Sequence, residues 1–224
     1  MTESGAESPF APLFLLADSR LLFPTSENPS LLDRVRRHLP DDPSSAYLGA
    51  ANGDDADAWA LFEAAMDGAG IRRRRMVRSA FPDDDRAWLA EAELVVLAGG
   101  DPERGWRLFR QAGIDDVLRE RYAAGAVLLG VSAGAVHLGW DHLDLVPALV
   151  GAHEEREGWA DLARRVRRSP TPVRGLGLPF GGGLVCHPDG TIEPLRLPVH
   201  ELVPEGGDLR HGLLLPQGGR PGRT

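Results

Sequence analysis

Ser132 sits in the run Gly130-Val131-Ser132-Ala133-Gly134, a serine flanked on both sides by small residues. Ala126 to Val131 before it form an apolar run that reads as a buried strand, and Ala133 to Leu138 read as the start of a helix. A serine on so tight a strand-to-helix turn takes a strained backbone conformation and projects its hydroxyl above the sheet, as a nucleophile must. The turn needs room, and Gly130, Ala133, Gly134 and Ala135 supply it. The amide of Ala133, at the helix N-terminus, points to where an oxyanion would form. A second glycine turn, Ala98-Gly99-Gly100-Asp101-Pro102, follows the preceding strand. In a parallel sheet both turns emerge at the carboxyl edge, where ligands bind. Gly99 or Gly100 would then set a second amide opposite Ala133. Packing alone also favours small residues at such junctions, but two glycine turns after successive buried strands favour catalysis.

The elements that must position these residues follow from the pattern around them. Leu13 to Ala17, Ser45 to Gly49, Leu94 to Ala98 and Ala126 to Val131 are short apolar runs ending in small or polar residues, as in strands buried on both faces. Helical segments are expected from Asn28 to His38, Ala56 to Gly70, Arg104 to Ala112 and Ile114 to Ala123. Arg72 to Arg75 read as the polar approach to a strand Met76-Val77-Arg78, balanced by Asp83 to Asp85 at a solvated helix start. The β-α-β-α order predicts an α/β fold with a mostly parallel, doubly wound sheet flanked by helices. After Pro170, Gly183 to His187 and Thr191 to Leu197 read as a C-terminal β-hairpin closing one sheet edge. One domain over residues 10–216 is expected, with flexible segments at 1–9 and 217–224.

Bulk properties remove several classes of function. The net charge is −8 and the pI near 5.4, which argues against a general affinity for nucleic acid or anionic membranes. No apolar run approaches the roughly 20 residues that span a bilayer. The N-terminus is polar and lacks a basic residue, and the single cysteine, Cys186, forms no internal disulfide, so a cytoplasmic setting is expected. No cluster has metal-ligand spacing and no phosphate loop is present, so neither metal nor cofactor is implied. An edge strand near the hairpin leaves room for a homodimer to cover it.

Four blocks together carry a resemblance: LVVLAGGD at 94–101, GVSAGAV at 130–136, LDLVP at 143–147 leading to Ala152-His153, and GLGLPFGGGLV at 175–185. In order and approximate spacing they resemble the peptidase E and cyanophycinase family of serine peptidases, here as a short divergent member. The resemblance implies a flavodoxin-like fold related to class I glutamine amidotransferase domains, and cleavage of small peptides such as aspartyl dipeptides. It matches Ser132 to the family's nucleophile, His153 to its base, and Gly99, Gly100 and Ala133 to the oxyanion pocket. Asp101, Arg156 and Trp159 are the expected substrate contacts. Among other histidines, His137 reads as packed or solvent-facing and His142 as a loop residue, while His187 is the chief rival to His153.

The departures from that pattern matter as much. In the peptidases the residue that orients the histidine is usually a glutamate in the turn matched by Gly177 to Gly181, where this chain has Phe180. Asp189, Glu154 or a backbone carbonyl are the alternatives for that role. The family's acid between nucleophile and base has no clear match, Asp141 and Asp144 being the only local carboxylates. The stretch Glu154 to Asp161 carries carboxylates and a tryptophan where the family has arginines, so weak or absent aspartyl-dipeptide cleavage is expected. Three functions follow: a serine hydrolase with altered specificity, a non-catalytic module that binds a peptide or small molecule, or a glutamine amidotransferase domain. The last would want a cysteine at the elbow, where Ser132 stands.

Overall fold

Fully buried apolar strands set the architecture of the computed structural model, which describes residues 10–26 and 29–217. β1 (Leu13–Leu16), β2 (Ser44–Leu48), β3 (Arg73–Val77), β4 (Leu94–Leu97) and β5 (Val127–Val131) run parallel. β8 (Gly183–Cys186) adds antiparallel to β1 and β9 (Ile192–Leu195) antiparallel to β8, completing a seven-stranded sheet of order β3-β2-β4-β5-β1-β8-β9. This is the hairpin expected at the sheet edge.

Period-two alternation divides the side chains between two cores. Phe14 and Leu16 meet Leu32 of α1 (Leu32–Val35) and Phe62 and Met66 of α2 (Ala56–Gly68). Leu13 and Leu15 meet the other layer: Leu89 of α3 (Asp83–Glu91), Phe109 of α4 (Pro102–Ala112), Leu118 of α5 (Ile114–Ala123) and Ala135 of α6 (Ala133–His137). Burial on both faces accounts for the unbroken apolar runs, each large side chain contributing roughly 1.5–3 kcal/mol. The expected helix at 28–38 is shorter: α1 gives way to a 3-10 turn at Arg36–His38, and Asn28 lies outside the described residues. The flexible segments expected at the ends also lie outside them, Gln217 apart.

Two expectations are corrected here. Arg73 to Arg75 do not precede the edge strand but form it, and the charges of Arg74 and Arg75 are paired from the helices beside it. Arg74 bonds Asp67 at 2.6 Å, while Arg75 and Arg78 converge at 2.7 and 2.9 Å on Asp85. Asp85 is therefore no solvated helix start; it is 0% exposed. Burial alone would raise its pKa, but the hydrogen bonds from Arg78 and Arg75 outweigh that and hold it below the ordinary value.

A second sheet is the larger surprise. β6 (Leu149–Ala152), β7 (Gly175–Leu178), β10 (Val199–Glu205) and β11 (Asp208–Leu214) form a mixed sheet of order β11-β10-β7-β6. One of its faces joins the main core through Val150, Leu176 and Val199. The other is covered by α7 (Ala160–Arg168), with Trp159, Leu162 and Val166 packed on Leu149 and Leu202. Strands reading LVGA and GLGL are too short and glycine-rich to announce themselves by period. Gly177 is glycine for a packing reason, since a Cβ there would stand 2.5 Å from Trp159 Cε3. Among the described residues no helix is long and apolar enough to cross a membrane.

Candidate active site

The elbow is built by close backbone approach. Ser132 has φ 51° and ψ −111°, a conformation costing about 1–3 kcal/mol for a non-glycine residue. The surroundings hold it there. Its N–H donates to Leu16 O at 2.8 Å, and its carbonyl accepts from Ala135 and Val136 at 2.9 and 3.1 Å. Both flanking glycines are required, because a Cβ on Gly130 would run into the Gly134 carbonyl and one on Gly134 into that of Leu97. Ser132 Oγ caps no helix N–H, so the hydroxyl is not committed to structure.

Two of the residues expected to supply amides, Ala133 and Gly99, lie beside it. Ala133 opens α6, so its N–H has no acceptor within the helix. A Cβ on Gly99 would lie 3.4 Å from Ser132 Cβ, which sets this turn directly beside the nucleophile. Gly100, at φ 137°, lies so close against the Ala51 carbonyl that no side chain fits. Asp101 is spent otherwise than expected: its carboxylate accepts from Arg104 N at 3.1 Å and caps α4.

His153 reaches the same edge from the second sheet. It follows β6 at φ 63°, and its N–H donates to Leu178 O at 3.1 Å. The turn after β7, Pro179 to Gly182, is tied to the end of β1: Ala17 N–H donates to Gly182 O at 2.9 Å and Gly181 N–H to Asp18 Oδ2 at 2.6 Å. Leu16 at that same strand end accepts from Ser132. His153 and Ser132 thus share one rim. His187 does not, because Cys186 pairs with Leu13 at the amino end of β1, about 10 Å of strand from Leu16. Its Nε2 bonds Glu193 at 3.0 Å instead.

None of the expected substitutes orients His153. Its Nδ1 is buried and has no hydrogen-bond partner among the described residues. Glu154 accepts from Leu162 N at 2.9 Å at the start of α7, and burial raises its pKa. Asp189 accepts from Thr191 N in the hairpin turn. Asp141 bonds His142 at 2.9 Å and Arg165 at 2.8 Å; burial alone would raise it, but these partners hold it at about 2. Phe180 lies against the histidine, ring centroids 5.4 Å apart, and the Arg20 guanidinium sits 4.1 Å from the centroid of the Phe180 ring.

The remaining expectations divide. Arg156 is exposed and lines a hollow with His153, Glu155, Glu157 and Phe180. Trp159 cannot contact a substrate from its place, being 2% exposed in the core under α7 and against His200. His137 is packed, 0% exposed, with Nε2 2.9 Å from Pro102 O. Burial pushes the Cys186 thiol up, and it lies in β8, far from the elbow chemistry. Among the described residues no three of His, Cys, Asp and Glu converge to hold a metal ion. Sequence reasoning missed Arg20 and Glu155, whose carboxylate accepts from Phe180 N at 3.3 Å. It also missed an apolar cavity beside Gly99 and Gly100. The rule that ligands bind beyond the carboxyl ends of parallel strands pointed toward the segment after β1, which carries Arg20.

A strained serine between a parallel strand and a helix, with free amides beside it, is a nucleophile-elbow architecture. A profile of peptidase family S51 matches residues 13–141. The chain belongs to peptidase family S51, the peptidase E and cyanophycinase family. Its fold is similar to that of a peptidase from an acI-B1 Actinobacterium, with TM-score 0.68, 17% identity, and coverage of 93% of this chain and 95% of that one. It is also similar to a provisionally assigned peptidase E protein from Listeria monocytogenes EGD-e, with TM-score 0.62, 13% identity, and coverage of 84% and 99%. The matched family segment includes Ser132 and the glycine turns but stops short of His153.

Proposed function

We propose that the protein is a serine hydrolase of small peptides in which Ser132 attacks the scissile carbonyl and His153 serves as general base. The observation that carries this reading is the Ser132 backbone at φ 51°, held by two obligatory glycines and leaving the hydroxyl uncommitted. Ser132 Oγ adds to the carbonyl carbon while its proton passes to His153. The N–H groups of Ala133 and of Gly99 or Gly100 stabilise the developing oxyanion. His153 then gives the proton to the leaving amine, and water hydrolyses the acyl-serine by the same route in reverse. Ser132 and His153 share no hydrogen bond among the described residues, a bond that in substrate-free enzymes is often long and tightens with substrate.

Without an orienting carboxylate the rate is low. Loss of that group from a serine triad costs about four orders of magnitude. Aspartyl dipeptides are poor substrates on this reading, with Glu155 and Glu157 in the hollow at His153. A fluorophosphonate probe should label wild type and not Ser132→Ala; no labelling of wild type between about pH 6 and 9 defeats the reading. The orphaned Nδ1 of His153 favours one alternative, a homologue that binds peptides without cleaving them. Ser132-dependent turnover of any dipeptide in a library would remove it.

A further inference from the structure

Resting on that hydrolase reading, we infer that the residue on the acyl side of the scissile bond is a large apolar or aromatic one, held in a cavity on the α1–α2 face of the main sheet. The cavity has a volume of about 330 Å³, at the small end of the range typical of ligand sites. Gly99, Gly100 and Val131 form the side nearest the elbow, so it opens next to Ser132. Tyr47, Phe62 and Val96 line it and are themselves buried, and Leu61, 45% exposed, stands where an incoming group would cover it. The aromatic walls are fixed by their own packing, Tyr47 and Phe62 lying 5.0 Å apart.

Chemistry narrows the occupant. Among the described residues no charged side chain lines the cavity. Its polar groups are Ser19, Asn52 and Tyr47, and Asn52 is already engaged, donating to Tyr47 Oη at 2.9 Å and accepting from Asp55 N at 3.2 Å. The charges acting on the Tyr47 hydroxyl are the Asp54 and Asp55 carboxylates, and burial raises its pKa first of all. An aspartyl side chain would be desolvated there and face like charge. An arginine would be attracted by the same two carboxylates, but neither lines the wall to pair with it, so its charge would be desolvated. A phenylalanine or leucine side chain would bury its surface at no such cost.

Topology fixes which side of the bond enters. Phe62, Val96 and Val131 belong to the core on the α1–α2 face. His153 follows β6, whose Val150 belongs to the core on the opposite face. The base must protonate the leaving amine, so the leaving residue lies toward His153. The acyl residue then lies toward the cavity.

The test separates pocket from chemistry. Affinity is measured calorimetrically for N-acetyl-phenylalaninamide, N-acetyl-leucinamide, N-acetyl-aspartamide and N-acetyl-argininamide, on wild type and on Ala58→Trp, which fills the cavity from α2. The phenylalanine and leucine amides should bind wild type at least tenfold tighter than the charged ones. Ala58→Trp should lose that preference while keeping the wild-type melting temperature. Should Ala58→Trp misfold, Leu61→Glu at the exposed rim should give the same loss. No preference, or a preference untouched by either variant, overturns the inference. Fluorophosphonate labelling of Ser132 is scored independently. A labelled serine with aspartyl preference sinks the pocket alone, and an unlabelled serine with apolar preference sinks the hydrolase alone.

Discussion

At the scale of single residues, the elbow and the base are held to different standards. Gly134 leaves no space for even one carbon against the Leu97 carbonyl, so Gly134→Ala must push α6 away from β4. A loss of about 3 kcal/mol or more is expected in urea unfolding, in the range of overpacked cores. A wild-type midpoint would show that the elbow yields more easily than its geometry implies. His153 is secured by backbone and by the Phe180 ring, with nothing among the described residues to bond Nδ1. Phe180→Glu puts an acceptor beside that ring from a position 46% open to water. We expect kcat on a peptide amide to rise at least tenfold, as an orienting carboxylate returns. An unchanged kcat would mean the glutamate does not reach Nδ1. Ser132 and its glycines were legible because each is a constraint on the backbone within a few residues. The unpartnered Nδ1 was legible only as the substitution at 180, since a missing contact across two sheets leaves no local mark.

At the scale of elements, the edge strand β3 shows how a charged sequence makes a strand. Arg75 and Arg78 are fastened to α3 through Asp85, which also accepts from Arg78 N at 3.0 Å. Asp85→Ala removes three charge-assisted bonds but frees two arginines that already see solvent. A cost of about 2–3 kcal/mol is expected, with faster amide exchange concentrated in β3. Exchange raised evenly across the sheet would contradict a local role. The arginine run looked like a flank because charge is scarce in central strands, yet edges accept it. The doubly wound core was readable from four apolar runs and the helices between them. β10 and β11 were not, because their alternation is interrupted by Pro204 and by the turn at Gly206-Gly207.

At the scale of the whole molecule, acid stability follows from one buried histidine. Burial holds His137 down at about 4, against an ordinary value of 6.5. A lowered folded-state pKa means the unfolded chain takes the proton first. Stability is therefore full above about pH 6.5 and falls as the pH drops toward 4, by up to roughly 3 kcal/mol from this group. Urea midpoints at pH 7 and pH 5 should differ in that sense, and His137→Leu should flatten the difference. An unaltered slope in the variant would assign the acid sensitivity elsewhere.

Ser132 and its amides belong to the seven-stranded sheet, whereas His153 is delivered by the four-stranded one. The two groups of the proposed site thus stand on different sheets. Drift in the turns after β6 and β7 can silence, retune or restore the proposed reactivity while the core the two sheets share stays intact.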